Sequence, residues 1–150
     1  VKSAYQVTDL VPHSGKMSLL SRILGYGEGW LHAEVDISGE SMFADERGVP
    51  AWIGMEYMAQ TIAAYAGLQE RNKGGVPKIG LLLGSRNYSS SVDYFARGQT
   101  LRIEVELEIV AANGLNVFNC ELTGNETRAV AVVNVFQPEN AEKFLEEALA

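Results

Sequence analysis

PAWIGMEYMAQTIAAYAGLQERN, residues 50–72, is the stretch whose reading decides the fold. Trp52, Met55, Met58, Ala59, Ile62, Ala63 and Ala66 recur at helical spacing, and Pro50 suits a first helical turn. Asn72-Lys73-Gly74-Gly75 then stops the run. The spacing predicts one helix from Ala51 to about Asn72, apolar nearly all round, as a helix enclosed by other elements would be. Both flanks read as strands. Upstream, MSLLSRIL at 17–24 and the alternating WLHAEVDI at 30–37 predict two strands joined by a turn in GYGEG at 25–29. Residues 38–50, with Gly39, Gly48 and Pro50, break both periods and predict a long loop into the helix.

Downstream the pattern is strand throughout. Ile79–Tyr88 comes first; then LRIEVELEI at 101–109 puts Leu101, Ile103, Val105, Leu107 and Ile109 on one face and Arg102, Glu104, Glu106 and Glu108 on the other. Turns at Asn113-Gly114 and Gly124-Asn125 link it to LNVFNCEL and AVAVVNVF in an antiparallel meander. PENAEKFLEEALA at 138–150 predicts a short amphipathic helix or a frayed terminus. Two strands, a buried helix and four antiparallel strands make a single α+β domain over residues 1–150.

Composition narrows the function classes. Nineteen Asp+Glu against twelve Lys+Arg give net −7, which argues against a nucleic-acid partner. The charge is uneven: residues 71–102 hold Arg71, Lys73, Lys78, Arg86, Arg97 and Arg102 against Asp93 alone. These are either solvated surface charges or a docking place for an acidic partner. With Cys120 as the single cysteine, neither an intrachain disulfide nor a Cys-x-x-Cys motif can form. The uncharged run Tyr57–Gln69 is interrupted by Gln60, Thr61 and Gly67 and falls short of the roughly 18 apolar residues of a membrane span. VKSAYQVTDL at the start has no apolar signal region, so a cytoplasmic protein is expected. No phosphate loop, dinucleotide fingerprint, nucleophile elbow or metal-ligand cluster occurs, and neither cofactor nor metal is expected. Gly80 and Gly84 flank leucines in a strand, where a bulge of a bent sheet is the favoured reading over close approach of a ligand.

SMFADERGVPAWIGMEYMAQ at 41–60 resembles the signature of the β-hydroxyacyl-acyl carrier protein dehydratases: Gly-His-Phe-Pro, a loop, Pro-Gly, then Glu-Ala-Met-Ala-Gln. Phe43, Pro50, Glu56, Met58, Ala59 and Gln60 match without a gap, and Val11-Pro12-His13 looks like the Leu-Pro-His that opens those enzymes. The resemblance continues through Leu81–Leu107, with Arg97-Gly98-Gln99 at the family's Pro-Gly-Asp turn. Pro50-Ala51-Trp52 and Leu82-Leu83-Gly84 are most similar to the dehydratase-like proteins of aryl polyene biosynthesis.

The resemblance implies a hotdog fold, a curved antiparallel sheet wrapped around one long central helix, and dehydration of 3-hydroxyacyl groups carried on an acyl carrier protein. In the family a histidine removes the proton beside the thioester carbonyl, a helix carboxyl assists the departing hydroxyl, and an N–H at the helix start polarises the carbonyl. Here the carboxyl would be Glu56, kept protonated by its apolar surroundings. Gln60, one turn on, would orient it, and the backbone N–H near Ala51 or Trp52 would face the carbonyl oxygen. Met42, Phe43, Trp52, Met55, Met58 and Leu81–Leu83 with Gly84 would line an acyl tunnel, though such side chains are more often plain core. Arg71, Lys73 and Lys78 would meet the carrier protein.

One departure from the pattern bears on the chemistry. The family's histidine falls on Met42, fourteen residues before Glu56, and methionine cannot take a proton. Of the two histidines, His13 is the candidate substitute; His32 lies on the polar face of a strand, and Asp45 is a weaker alternative base. Because family sites resemble composite pockets at a dimer interface, a heterodimer with a His-bearing subunit would complete the site, whereas a homodimer would hold two carboxyls and no base. Two further readings stay open: a thioesterase in which Glu56 activates water, and a non-catalytic subunit that stabilises a dehydratase partner.

Overall fold

The computed structural model describes residues 19–72, 81–112 and 114–136. Among these residues eight strands, β1 (Arg22–Gly27), β2 (Trp30–Asp36), β3 (Val49–Pro50), β4 (Leu81–Ser90), β5 (Tyr94–Phe95), β6 (Thr100–Val110), β7 (Leu115–Gly124) and β8 (Thr127–Phe136), accompany one α-helix, α1 (Gly54–Asn72). A turn of 3-10 helix, Ala51–Ile53, leads into α1. Six strands form one antiparallel sheet in the order β1-β2-β6-β7-β8-β4, and β3 pairs with β5 in a separate ribbon.

The alternation in the sequence sets which residues face the helix. Leu31, Ala33 and Val35 of β2, Leu101, Ile103 and Val105 of β6, Phe118, Cys120 and Leu122 of β7, and Ala129, Ala131 and Val133 of β8 are all buried. Register brings them into rows: Ala33 opposite Ile103, Val105 opposite Cys120, Cys120 opposite Ala131. Helix α1 packs on this face against β2, β6, β7, β8 and β4. Its buried side chains include Tyr57, Met58, Ile62, Tyr65 and Leu68. Each large aliphatic among them contributes about 1.5–3 kcal/mol by leaving water. The architecture is the expected α+β arrangement, a hotdog sheet with one central helix.

Three local features differ from the sequence reading. Strand β1 runs to Gly27, and the turn is the pair Glu28-Gly29, because Gly27 leaves room for the Trp30 indole that a Cβ would strike and Gly29 takes φ +78. The last hairpin likewise turns at Asn125-Glu126, one residue later than expected, with Gly124 paired to Thr127. The loop 38–50 ends in the β3–β5 ribbon, too short to leave a period in the sequence. Near Gly84 the β4–β8 register shifts between Leu82 and Gly84, the bulge favoured above. The helix expected at 138–150 lies outside the described residues.

Candidate active site

The helix start is built by the β3–β5 ribbon. Pro50 opposes Tyr94, and the Ala51 N–H donates to the Asp93 carbonyl oxygen at 2.9 Å. The expectation that Ala51 offers this N–H to a substrate carbonyl is therefore corrected: the ribbon's hydrogen-bond ladder has already used it. The Ala51 carbonyl is engaged too, accepting from the Tyr88 hydroxyl. Burial pushes that phenol up to about 12, so it keeps its proton and donates. The N–H groups of Trp52 and Ile53 come next, in a first turn where helical geometry supplies no preceding carbonyl.

Glu56 lies in the first turn of α1 and is half-buried rather than enclosed. One turn on, Gln60 is completely buried. Its amide is oriented from both ends: the Leu19 backbone N–H donates to Oε1 at 2.9 Å, and Nε2 donates to Glu56 Oε1 at 3.1 Å. A backbone N–H can only donate, so it forces the amide oxygen toward Leu19 and the NH2 toward Glu56. The expected Gln60–Glu56 pairing is present, with Leu19 as a third member that sequence spacing had no means to supply. Met55, Glu56, Ala59, Ala63 and Ala66 form a half-buried stripe on α1, and Trp52 just ahead of it is 64% exposed. Glu56 thus sits on the side of the helix that the sheet leaves partly uncovered.

Across from the helix start, Met42 and Phe43 occupy the loop after β2. Phe43 adopts φ +65, and its ring, 58% exposed, lies with its centre 5.6 Å from that of Trp52. Leu19, Val35, Met42, Phe43 and Tyr57 border a cavity of about 400 Å3 that Asp36, Glu40 and Ser41 close on its polar side. Of the expected tunnel residues, Met42 and Phe43 border this cavity, and Trp52 meets the Phe43 ring beside it. Met55 packs half-buried against the core, whereas Met58 is entirely buried and belongs to the core itself, a correction to its place in a tunnel. Leu82 and Gly84 lie in β4, at the opposite edge of the sheet from β1 and β2. Tyr57, which the sequence reading passed over as part of an apolar run, is the cavity's unanticipated member.

The substitute bases fare unequally. His13 lies outside the described residues. Asp45 is held by Arg47, whose guanidinium and backbone N–H both donate to it at 2.7 and 2.8 Å, and this keeps its carboxyl below the ordinary range. A carboxylate so stabilised is a poor base, which corrects the Asp45 alternative. His32 projects from the outer face of the sheet, away from α1. Its Nε2 is 3.2 Å from Glu104, and Arg102 approaches Nδ1 at 3.0 Å. Burial lowers its pKa. A hollow of about 650 Å3 on that outer face, bordered by Trp30, His32, Glu104, Glu106 and Asn119, is separated from Glu56 by the sheet. Arg71 belongs to the last turn of α1, while Lys73 and Lys78 lie outside the described residues. Among the described residues no three His, Cys, Asp or Glu side chains gather as metal ligands, and no helix is long and apolar enough to cross a membrane.

A six-stranded antiparallel sheet packed on one long helix places this chain among the hotdog proteins, and solved structures agree. One chain of the dehydratase heterocomplex ApeI:P from Xenorhabdus doucetiae superposes with a TM-score of 0.86 at 24% identity, covering 97% of this chain and 99% of that one. The E. coli PaaI protein of the phenylacetic acid degradation operon has a TM-score of 0.58 at 14% identity, with 77% and 81% covered. A hypothetical thioesterase with coenzyme A from Streptococcus pneumoniae has 0.55 at 14%, with 77% and 86% covered. No curated protein matches the sequence. The model of the ApeP dehydratase family matches residues 5–146, and the chain belongs to that family.

Proposed function

We propose that this chain acts in the dehydration of 3-hydroxyacyl groups borne on an acyl carrier protein, supplying Glu56 to a site whose histidine comes from a His-bearing hotdog partner. The observation that carries this reading is the Glu56–Gln60 pair, with its amide direction set by Leu19, on the uncovered side of α1. A half-buried helix carboxyl steadied by a buried amide is suited to proton transfer to a bound group. With Met42 at the place of the base, this reading takes the histidine from a second subunit. Membership of a dehydratase family supports the reaction type, and the structural similarity to a chain of a dehydratase heterocomplex supports a partner of the same fold.

In this reading the partner's imidazole takes the C2 proton, and the electron pair moves onto the thioester oxygen beside the Trp52 N–H. As the carbonyl re-forms, the C3–O bond breaks. Glu56, entering as the acid, gives its proton to the departing hydroxyl, and the products are an enoyl thioester and water. The basic residues that follow the helix, Arg71, Lys73 and Lys78, are the proposed contact for the acidic carrier protein.

The test is dehydration of a 3-hydroxyacyl-carrier protein followed by mass, first with the chain alone and then with a His-bearing dehydratase subunit added. The enoyl product is expected on mixing only, and Glu56→Ala in the mixed complex is expected to remove at least about 99% of the rate, on the scale of a lost general acid. Turnover by the chain alone would overturn the need for the partner's histidine. Full activity of Glu56→Ala would remove Glu56 from the chemistry. Release of free acid in place of enoyl product would assign a thioesterase, in which the same carboxylate activates water.

A further inference from the structure

Tyr57 follows Glu56 on α1 and is only 2% exposed, yet its hydroxyl makes no hydrogen bond with any described residue. Among the described residues the one side-chain polar atom both sealed from solvent and unpartnered is Asn134 Oδ1, so the Tyr57 hydroxyl still reaches open space. The open space that Tyr57 borders is the cavity beside Met42. The other polar groups there differ in kind. Asp36 accepts from Thr100 and from Arg22, and the Ser41 hydroxyl is engaged by the Ser38 N–H and the Asp36 carbonyl. Glu40 lies in the exposed loop. Phenylalanine would fill the same volume at Tyr57 without leaving a buried donor unmatched, so the fold alone gives no reason for the hydroxyl. In the Glu-Ala-Met-Ala-Gln pattern Tyr57 stands at the alanine, and Met42 stands at the histidine of Gly-His-Phe-Pro; these two departures share one cavity.

We propose that Tyr57 is a ligand-binding donor: the acyl part of a thioester enters the cavity beside Met42, lies on Leu19, Val35 and Met42, and accepts a hydrogen bond at one of its oxygens from the Tyr57 hydroxyl. The ligand class rests on the acyl-thioester reading above; the donor and its cavity do not. Burial moves the phenol well above its ordinary value, so it stays an O–H donor throughout the physiological range. No bond is made or broken in this role.

The experiment is calorimetric titration of the full chain, alone and mixed with a His-bearing hotdog subunit. The probes are the N-acetylcysteamine thioesters of 3-hydroxyoctanoate and octanoate, and the variant is Tyr57→Phe. Loss of one hydrogen bond from a buried phenol is expected to weaken binding about tenfold. Loss confined to the hydroxyacyl thioester assigns the 3-hydroxyl as acceptor; equal loss for both assigns the carbonyl. Unchanged affinities, or no binding by the wild type alone or mixed, overturn the proposal. The thermal midpoint of Tyr57→Phe is expected to hold or rise, and a fall would show a structural partner for the hydroxyl and overturn it as well. Dehydration assayed with the wild-type mixed complex separates this from the reaction: Tyr57-dependent binding without dehydration leaves the pocket standing and removes the dehydratase reading, while dehydration without Tyr57-dependent binding does the reverse.

Discussion

Gln60 is the residue on which the site's precision depends. Its neutral amide spans a backbone N–H and a carboxylate, two groups that no hydrocarbon of the same size can satisfy together. Gln60→Leu leaves the Leu19 N–H unmatched, at about 1–3 kcal/mol, and frees Glu56 to turn. In the mixed complex kcat is expected to fall between about tenfold and a hundredfold with KM little changed, because orientation of the acid is lost and substrate binding is not. Steady-state kinetics beside a urea unfolding curve checks both halves. The Glu56–Gln60 relation was legible because residues four apart share a helix face. The Leu19 contact was not, since it joins positions 41 apart in the chain.

At the scale of the element, the helix start is held by a ribbon of two residues per strand. Gly48 makes it possible: it takes φ +116, and a Cβ there would run into the Phe95 carbonyl. Gly48→Ala meets both a forbidden backbone region and a backbone clash, so a loss of about 1–3 kcal/mol is expected in urea unfolding. Because the ribbon carries the Asp93 carbonyl to Ala51, dehydration by the mixed complex should weaken with it. The long strands and α1 were legible from their periods. The ribbon was not, because two residues cannot display a period and its pairing partner lies beyond the helix.

At the scale of the molecule, stability should decline toward acid in two stages. Burial lowers the pKa of His32, so below its ordinary value of 6.5 the unfolded chain binds a proton that the folded one resists, and stability falls with pH. Glu104, Arg102, Glu106 and the Trp30 ring are the groups around it; Glu104 opposes the shift and Arg102 reinforces it. Further down, Asp36, stabilised by Thr100 and Arg22, and Asp45, stabilised by Arg47, have lowered values, and stability present above the ordinary carboxylate range is lost beneath it. The urea midpoint of the wild type is expected to drop between pH 7 and 5.5, and His32→Asn should flatten that limb while leaving the carboxylate limb below about pH 4 in place. An unchanged upper limb would clear His32.

The sequence by itself determined the α+β class, the enclosed helix, the inward row of each strand and the pairing of Glu56 with Gln60, because these follow from periods of two and 3.6 residues within one segment. It also carried Met42 at the place where the resembled pattern has histidine. Only the tertiary structure decided that Ala51 has already spent its N–H on Asp93, that Leu19 aims the Gln60 amide, and that Tyr57 shares a cavity with Met42. Each of these is a meeting of groups distant in the chain, fixed by how the loop after β2 and the β3–β5 ribbon close over the helix start, and no local pattern encodes such a meeting.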